Sequence, residues 1–304
     1  MDQNERGNRI ALASFIGYAV LAGGNAVSVR YCNRELAPLW GAGLRFALAA
    51  LLLFGYVAIR RLPVPRGRAL LGAALFGFFN FGASFALYYW GLQHVHAGLG
   101  QTILAIVPLA TLLIAATIGQ ERLRAANVMG TILALIGVAL MSSAPLQRDL
   151  PVTRVLAVLG AAFCFAQAAV IVRRFPRVHP AMLNAVGMAT GAIFLLAGSL
   201  VRGEPRVLPN YMDTWIALAY AIPVGSVAVF VLYATVLRYW PASRASYGFV
   251  SVPVVAIVLG AWLDNETINV GHVAGTVVVL IAVYFGALRP QARPVPAPAP
   301  AAEK

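Results

Sequence analysis

From Ala11 to Leu288 the sequence is a succession of long stretches that carry almost no charge. A helix needs about 20 mostly apolar residues to cross the hydrocarbon core of a bilayer. Stretches of that kind fall at 11–29, 39–59, 69–91, 97–118, 125–142, 153–172, 180–201, 214–237, 243–263 and 269–288. Within lipid no water is available to the backbone, so only helices and closed barrels can span it. Barrel strands would alternate apolar and polar residues, and these runs do not. The breaks between runs hold Arg, Pro, Gly, Asp and Glu, as loops should. The expected fold is therefore an all-α integral membrane protein with ten transmembrane helices. The polar start "MDQNERGNRI" leads into a first spanning helix, not a cleaved leader.

Charge is scarce and one-sided. Charged residues make up 11% of 304 residues, against roughly 25% in soluble domains. The formal net charge is +13. The basic residues sit between the apolar runs and not on one face, which argues against nucleic acid. They do set a direction, because cytoplasmic loops collect Lys and Arg. With the N-terminus in the cytoplasm, the cytoplasmic segments hold sixteen of them and the opposite side six, Arg30, Arg34, Arg148, Arg154, Arg202 and Arg206. The remaining one, Arg45, lies within a span. Both termini are expected in the cytoplasm. The tail 290–304, "PQARPVPAPAPAAEK" from Pro290, is Pro/Ala-rich and reads as extended and disordered.

The chain repeats itself. Pro108 in "AIVPLA" and Pro253 in "VSVPVV" are 145 residues apart. At the same shift Tyr88 meets Tyr233, Ala97 meets Ala242, Glu121 meets Glu266, Gly130 meets Gly275 and Thr131 meets Thr276. Two units follow, 1–146 and 147–289, each with five helices. Five is odd, so the second unit crosses the membrane in the opposite sense. Inverted-topology repeats of this kind build many secondary transporters, with the substrate site near the midplane between the halves. A central cavity between the two units is expected. Proline lacks a backbone N–H and clashes with the preceding turn. Pro108 and Pro253 thus free the carbonyls of Leu104 and Phe249. They are read as a symmetric gating pair, with a static packing kink as the other reading.

Several motifs carry a resemblance to a known family. They are "GNAVSVRY", "GLRF", "LYYWGLQHVHAGLGQTILAIVPL", "GQERL" and "GTILALIGVAL" in the first unit. In the second they are "PASRASYGFVSVPVVAIVLGAWLDNETI" and "GHVAGTVVVLIAVY". These residues resemble the drug/metabolite transporter superfamily, specifically its ten-helix EamA-type members, over nearly the whole chain. The second unit has "DNE" where "GxE" is usual, and its Glu is kept. The resemblance implies export from the cytoplasm of amino acids, aromatic and other neutral ones, or of similar small metabolites. It implies a bacterial inner-membrane location, and a monomer is expected. The other function within the same superfamily is proton-coupled efflux of drugs or cations.

Polar groups inside spans point to where a substrate would bind. Asn80, Ser84 and Tyr88 recur at i, i+4 and i+8 and share a helix face, with Phe79, Phe81 and Phe85 alongside. Asn25 and Ser28 in helix 1 match Cys164 and Gln167 in helix 6 in spacing. Gln101 and Thr102 in helix 4 are matched by Ser246 and Tyr247 in helix 9, with Ser251 one turn on. Such residues line cavities or join helices by hydrogen bonds; both readings stand. Arg45 can snorkel to the outer interface, pair structurally or meet a substrate carboxylate. Trp40, Trp90, Trp215 and Tyr211 read as interfacial belt residues. Glu121 and Glu266 are placed to cap the next helix start.

His94 and His96 give two ligands, too few for a metal site, and Cys32 and Cys164 suggest no disulfide framework. No cofactor is expected. Neither H-E-x-x-H nor G-x-S-x-G occurs, so no enzyme is expected. All ten acidic residues fall in tails, loops or span ends. Proton-coupled carriers relay through intramembrane Asp, Glu or His, so facilitated diffusion or exchange is the expected mode.

Overall fold

A computed structural model of the chain describes residues 3–94, 100, 103–121, 123, 125–141, 151–263 and 270–288. Helices and their connections account for these residues, with no strand among them. In chain order the helices are α1 (Gln3–Cys32), α2 (Pro38–Ile59), α3 (Arg68–Leu92), α4 (Val107–Thr117) and α5 (Ala125–Met141). The second half holds α6 (Val152–Arg174), α7 (Pro180–Val201) and α8 (Met212–Tyr239). It continues with α9 (Ala242–Ser246, then Gly248–Leu263) and α10 (Val270–Val283, continued by a π-wound end, Tyr284–Leu288). Among the described residues six helices, α2, α3, α6, α7, α8 and α10, are long and apolar enough to cross a membrane.

The packing obeys one exchange rule. α2 packs on α7, α5 on α10, and α4 on the start of α9. α1 packs on α8 and α9 just as α6 packs on α3 and α4. Swapping each helix for the one five places along maps this set of contacts onto itself. The self-paired helices run antiparallel. In α2/α7, Gly43 lies against Leu196 and Leu39 against Gly198. In α5/α10, Gly137 lies against Val279 and Gly130 against Gly286.

Hydrogen bonds between connections and helix ends gather at two ends of the bundle. At one end Glu204 accepts from Leu39 N at 3.3 Å and Trp40 N at 2.9 Å. There too Glu35 accepts from Asn210 N at 3.0 Å and Tyr211 N at 3.3 Å. Arg154 donates to Trp90 O at 2.8 Å. At the other end Trp240 Nε1 donates to Asn8 Oδ1 at 2.9 Å. Arg173 donates to Trp240 O, and Glu121 accepts from Ser243 N at 3.2 Å and from its hydroxyl. Glu121 therefore caps the start of α9, in the other half. The capping chemistry is the expected one: a carboxylate satisfies N–H groups that a helix leaves orphaned. Its partner differs because α4 and α9 meet across the repeat interface.

Both conserving contacts and close approach rest on small residues, as in membrane bundles generally. α3 meets α7 where Gly77 faces Gly187; a Cβ on Gly77 would lie 2.3 Å from the Gly187 Cα. Gly77→Val should therefore lower the unfolding midpoint in detergent, by about 1–3 kcal/mol as for overpacked cores generally. Gly55→Val, on α2 with open space around it, is the control that should leave it unchanged.

Candidate transport site

Two helices depart from α geometry at equivalent places. α3 winds as a π-helix over Phe78–Ala83, and α8 over Ala221–Ala228. A shift of 145 residues carries the first stretch onto 223–228, inside the second. A π turn breaks the regular ladder of backbone bonds and is frequent at functional sites. In α8 the irregularity is secured by side chains. Ser226 donates to Ala221 O at 2.9 Å, and Asn184 on α7 donates to Phe230 O at 3.0 Å. Arg45 on α2 reaches the same turn, donating through Nε to Ser226 Oγ at 2.6 Å and through Nη2 toward Gly225 O at 3.5 Å.

Arg45 is 3% exposed, so it does not snorkel to the interface. Its guanidinium stands 5.0 Å from the Phe46 ring centroid, and no carboxylate pairs with it among the described residues. It is a buried cation held by neutral oxygens and an aromatic face.

Phe46 begins a circuit of rings that links both halves. Phe46 on α2 is 4.9 Å from Phe85 on α3, and Phe85 is 5.8 Å from Phe165 on α6. Phe165 is 5.0 Å from Phe249 on α9, which is 5.9 Å from Tyr233 on α8. One turn earlier on α8, Phe230 closes the circuit at 6.4 Å from Phe46, with Phe81 4.7 Å from Phe230. Of these rings only Phe81 and Phe85 stood out in the sequence as companions of the polar stripe. The equivalence of Tyr88 with Tyr233 was the available signal for the α8 side.

Asn80 belongs to the π turn of α3, between Phe79 and Phe81. It is 0% exposed, and neither Nδ2 nor Oδ1 has a hydrogen-bond partner. Leaving one buried polar group unpaired costs about 1–3 kcal/mol. Ser84, also buried, donates to Asn80 O at 2.8 Å, which secures the backbone of the turn and leaves the amide free. Tyr88, one turn further, is half-buried with its ring 6.3 Å from that of Tyr89. Phe79 is half-buried and stacks edge-on with Phe78 at 5.2 Å, apart from the circuit.

The remaining residues sort into two groups. Asn25 on α1 has an unpaired buried Oδ1 and packs on Gly225, where a Cβ would lie 2.1 Å away. Gln167 is half-buried on α6, two residues past Phe165. Tyr247, by contrast, turns its hydroxyl toward α5, 3.1 Å from Thr131 Oγ1 and donating to Asn127 O at 3.1 Å. Ser251 donates to Tyr247 O at 3.2 Å. Gln101 and Thr102 lie outside the described residues, as do Glu266 and His96. His94 is exposed, and no group of metal-ligating side chains occurs among the described residues.

The prolines mark breaks of different kinds. Residues 105–106 form a turn and α4 resumes at Val107, so Pro108 sits in a first helical turn, where a missing N–H matters little. Pro253 lies inside the second piece of α9, and the break there is a turn at Tyr247. Tyr18 on α1 donates to Ala245 O at 2.7 Å, just before that turn. The two broken helices meet where Thr111 and Ser246 bring their hydroxyls within 3.1 Å.

Residues 9–143 and 153–287 each match the EamA-like transporter family. The chain belongs to that family. The transporter is 28% identical over 284 residues to an uncharacterized inner membrane transporter, YedA, of Escherichia coli (strain K12), covering 92% of both chains. It is 27% identical over 279 residues to a probable amino-acid metabolite efflux pump of Salmonella typhimurium, covering 88% of this chain and 91% of that one. A crystal structure of a protein 17% identical superposes with a TM-score of 0.76, over 93% of this transporter and 97% of the other chain. That likeness speaks to the fold alone.

In this EamA-like transporter the Arg45 anchor predicts an asymmetric result. Arg45→Lys keeps the charge but loses the guanidinium fork, and the two residues are not interchangeable at such sites. Losing a charge-assisted bond of this kind costs about 1.5–3 kcal/mol. The variant should unfold at lower temperature in detergent, and Ser226→Ala should add little to that loss. A further prediction concerns pH. The Thr214 hydroxyl and the N–H groups of Asn210 and Tyr211 hold the Glu35 carboxyl below the usual range. That clamp is fully present above the ordinary carboxylate range and is released as pH falls through the lowered value. Proteolysis of the 204–211 connection should accelerate below about pH 4, and Glu35→Gln should remove the pH dependence.

Proposed function

We propose that this transporter exports amino acids, aromatic and other neutral ones, or similar small metabolites from the cytoplasm by alternating access. The observation that carries the reading is Asn80, a fully buried amide with both functional atoms unpaired beside a circuit of aromatic rings. A zwitterion with an apolar side chain needs both features, hydrogen-bonding groups and aromatic walls. Asn25 and Gln167 supply further amides from α1 and α6, and Arg45 makes the surroundings favourable to a carboxylate. The efflux pump among the relatives supports the same substrate class.

Ten spans in two inverted repeats, with both termini cytoplasmic, form the frame of this proposal. Three observations support it: the antiparallel pairs α2/α7 and α5/α10, the contact pattern that survives exchange of the halves, and the two separate groups of end contacts. Transport is facilitated diffusion or exchange, because the acidic residues of the sequence lie outside the middles of the spans. Breaks at 105–106 and at Tyr247 let α4 and α9 bend where Thr111 and Ser246 meet, next to the Glu121 cap. Rocking of one half against the other would make and break that cap.

Asn80→Leu tests the site. A residue that only glues helices would destabilise the protein when replaced. A substrate-binding amide left unpaired in the empty protein would not. The expected result is an unfolding midpoint equal to or above the parent, with uptake into proteoliposomes reduced on the order of tenfold, the value of one bond to a charged group. A lowered midpoint with unchanged transport would assign Asn80 to packing. Downhill amino-acid flux should persist when the proton gradient is collapsed; strict dependence on it would favour the proton-coupled reading.

A further inference from the structure

At the end of the bundle that carries Trp240 and Glu121, a cavity of about 260 Å³ opens between α3, α6, α7 and α8. Its charged lining consists of three arginines, Arg173, Arg177 and Arg238, and no acid. Arg173 is tied inward, donating to Trp240 O and, at 3.5 Å, to Leu237 O, and it faces Glu121. Arg177 and Arg238 are exposed and make no ion pair among the described residues. The rest of the wall is apolar and small, with Ala69, Val178 and Leu183 among its residues. Beside it, burial and then the Arg238 charge hold His179 below the usual imidazole range.

We propose that this cavity binds the phosphodiester headgroup of an anionic phospholipid from the leaflet that the arginine-rich end faces. Guanidinium forks match phosphate oxygens in pairs, which a point charge cannot. Basic pockets between spanning helices on the cytoplasmic side are where such headgroups bind. The volume falls just under the 300–1,000 Å³ range of pockets for drug-sized ligands, which suits a headgroup better than a whole transported molecule. The apolar part of the wall suits the glycerol and the first methylenes of the acyl chains. Three helix ends from both halves, α3, α6 and α8, meet at this cavity, so an occupant joins the two repeats. The proposal takes its leaflet from the orientation given above, but the binding does not depend on what is transported.

The test is native mass spectrometry of the detergent-purified full chain, titrated with phosphatidylglycerol, phosphatidylcholine or inorganic phosphate. Phosphatidylglycerol should remain bound under activation that strips phosphatidylcholine. Arg177→Gln with Arg238→Gln should weaken it by roughly tenfold, with the unfolding midpoint in phosphatidylcholine unchanged. Lysine at both positions should restore only part of the affinity. Ala69→Leu, which fills the cavity and leaves every charge in place, should weaken it as well. Equal retention of the two lipids would overturn the proposal, as would full binding by the glutamine or the leucine variant. Displacement of phosphatidylglycerol by millimolar phosphate would assign the pocket to a soluble phosphate instead. Because the readout is binding, a failure of amino-acid export would leave this result standing, and the reverse holds too.

Discussion

A backbone inside lipid must satisfy its own hydrogen bonds, and among the described residues α3, α4, α8 and α9 are each interrupted within an apolar run. The π turns of α3 and α8 and the interruptions in α4 and α9 disturb the regular ladder of carbonyls and amides. Near each break a side chain completes the bonding. Ser226 serves Ala221 O, Asn184 serves Phe230 O, Ser84 serves Asn80 O, Tyr18 serves Ala245 O and Thr111 serves Val107 O. Two of these bonds, from Asn184 and Tyr18, pass between helices, so the irregular backbone and the helix packing hold each other in place. Removing the breaks would give straighter helices, and removing the packing would leave the breaks unsatisfied.

This dependence explains what could be read from the residues and what could not. The spans announce themselves by length and lack of charge, a signal that any bilayer imposes. The pairing of Pro108 with Pro253, and of Glu121 with Glu266, exposed the repeat because special residues are rarely matched by chance. Of the π turns only that of α8 carries a mark, Pro223, whose missing N–H breaks the ladder; α3 has no proline there. "FFNFGA" and "AIPVGSVA" share little beyond small residues, and a wide turn is selected by the neighbours that serve its carbonyls. Likewise, periodicity brings Asn80, Ser84 and Tyr88 to one face but does not say which of them spends its side chain on its own backbone. Ser84 does; the Asn80 amide does not. For Glu121, the pattern told of a capping carboxylate, and only the fold could say that α9 was the helix capped.

The two halves are alike in backbone and unlike in chemistry. At the equivalent π turns, Asn80 and Phe81 of α3 stand where α8 has Gly225 and Ser226. On the α8 side, Arg45 and Ser226 saturate the turn, and Asn25 fills the space that a side chain at 225 would occupy. On the α3 side the turn carries an amide with nothing bound to it. One π turn thus has its polar groups paired, and the other keeps an unpaired amide.

That division has a consequence for how an exchange of halves could work. In a symmetric pair, a substrate would find equivalent groups on both sides. Here the buried amides proposed to meet the substrate come from α3, α1 and α6, whereas α8 and α9 contribute mainly rings, Phe230, Tyr233 and Phe249. The circuit of rings draws on both halves, Phe46, Phe81 and Phe85 from one and Phe165, Phe230, Tyr233 and Phe249 from the other, so rocking of one half against the other would open it. A substrate that needs both would bind most tightly when the circuit of rings is closed around it and would be released when the rocking opens that circuit. On the proposed alternating-access reading, the two repeats would supply the motion, and the departures from symmetry at residues 80–81 and 225–226 the chemistry that the motion acts on.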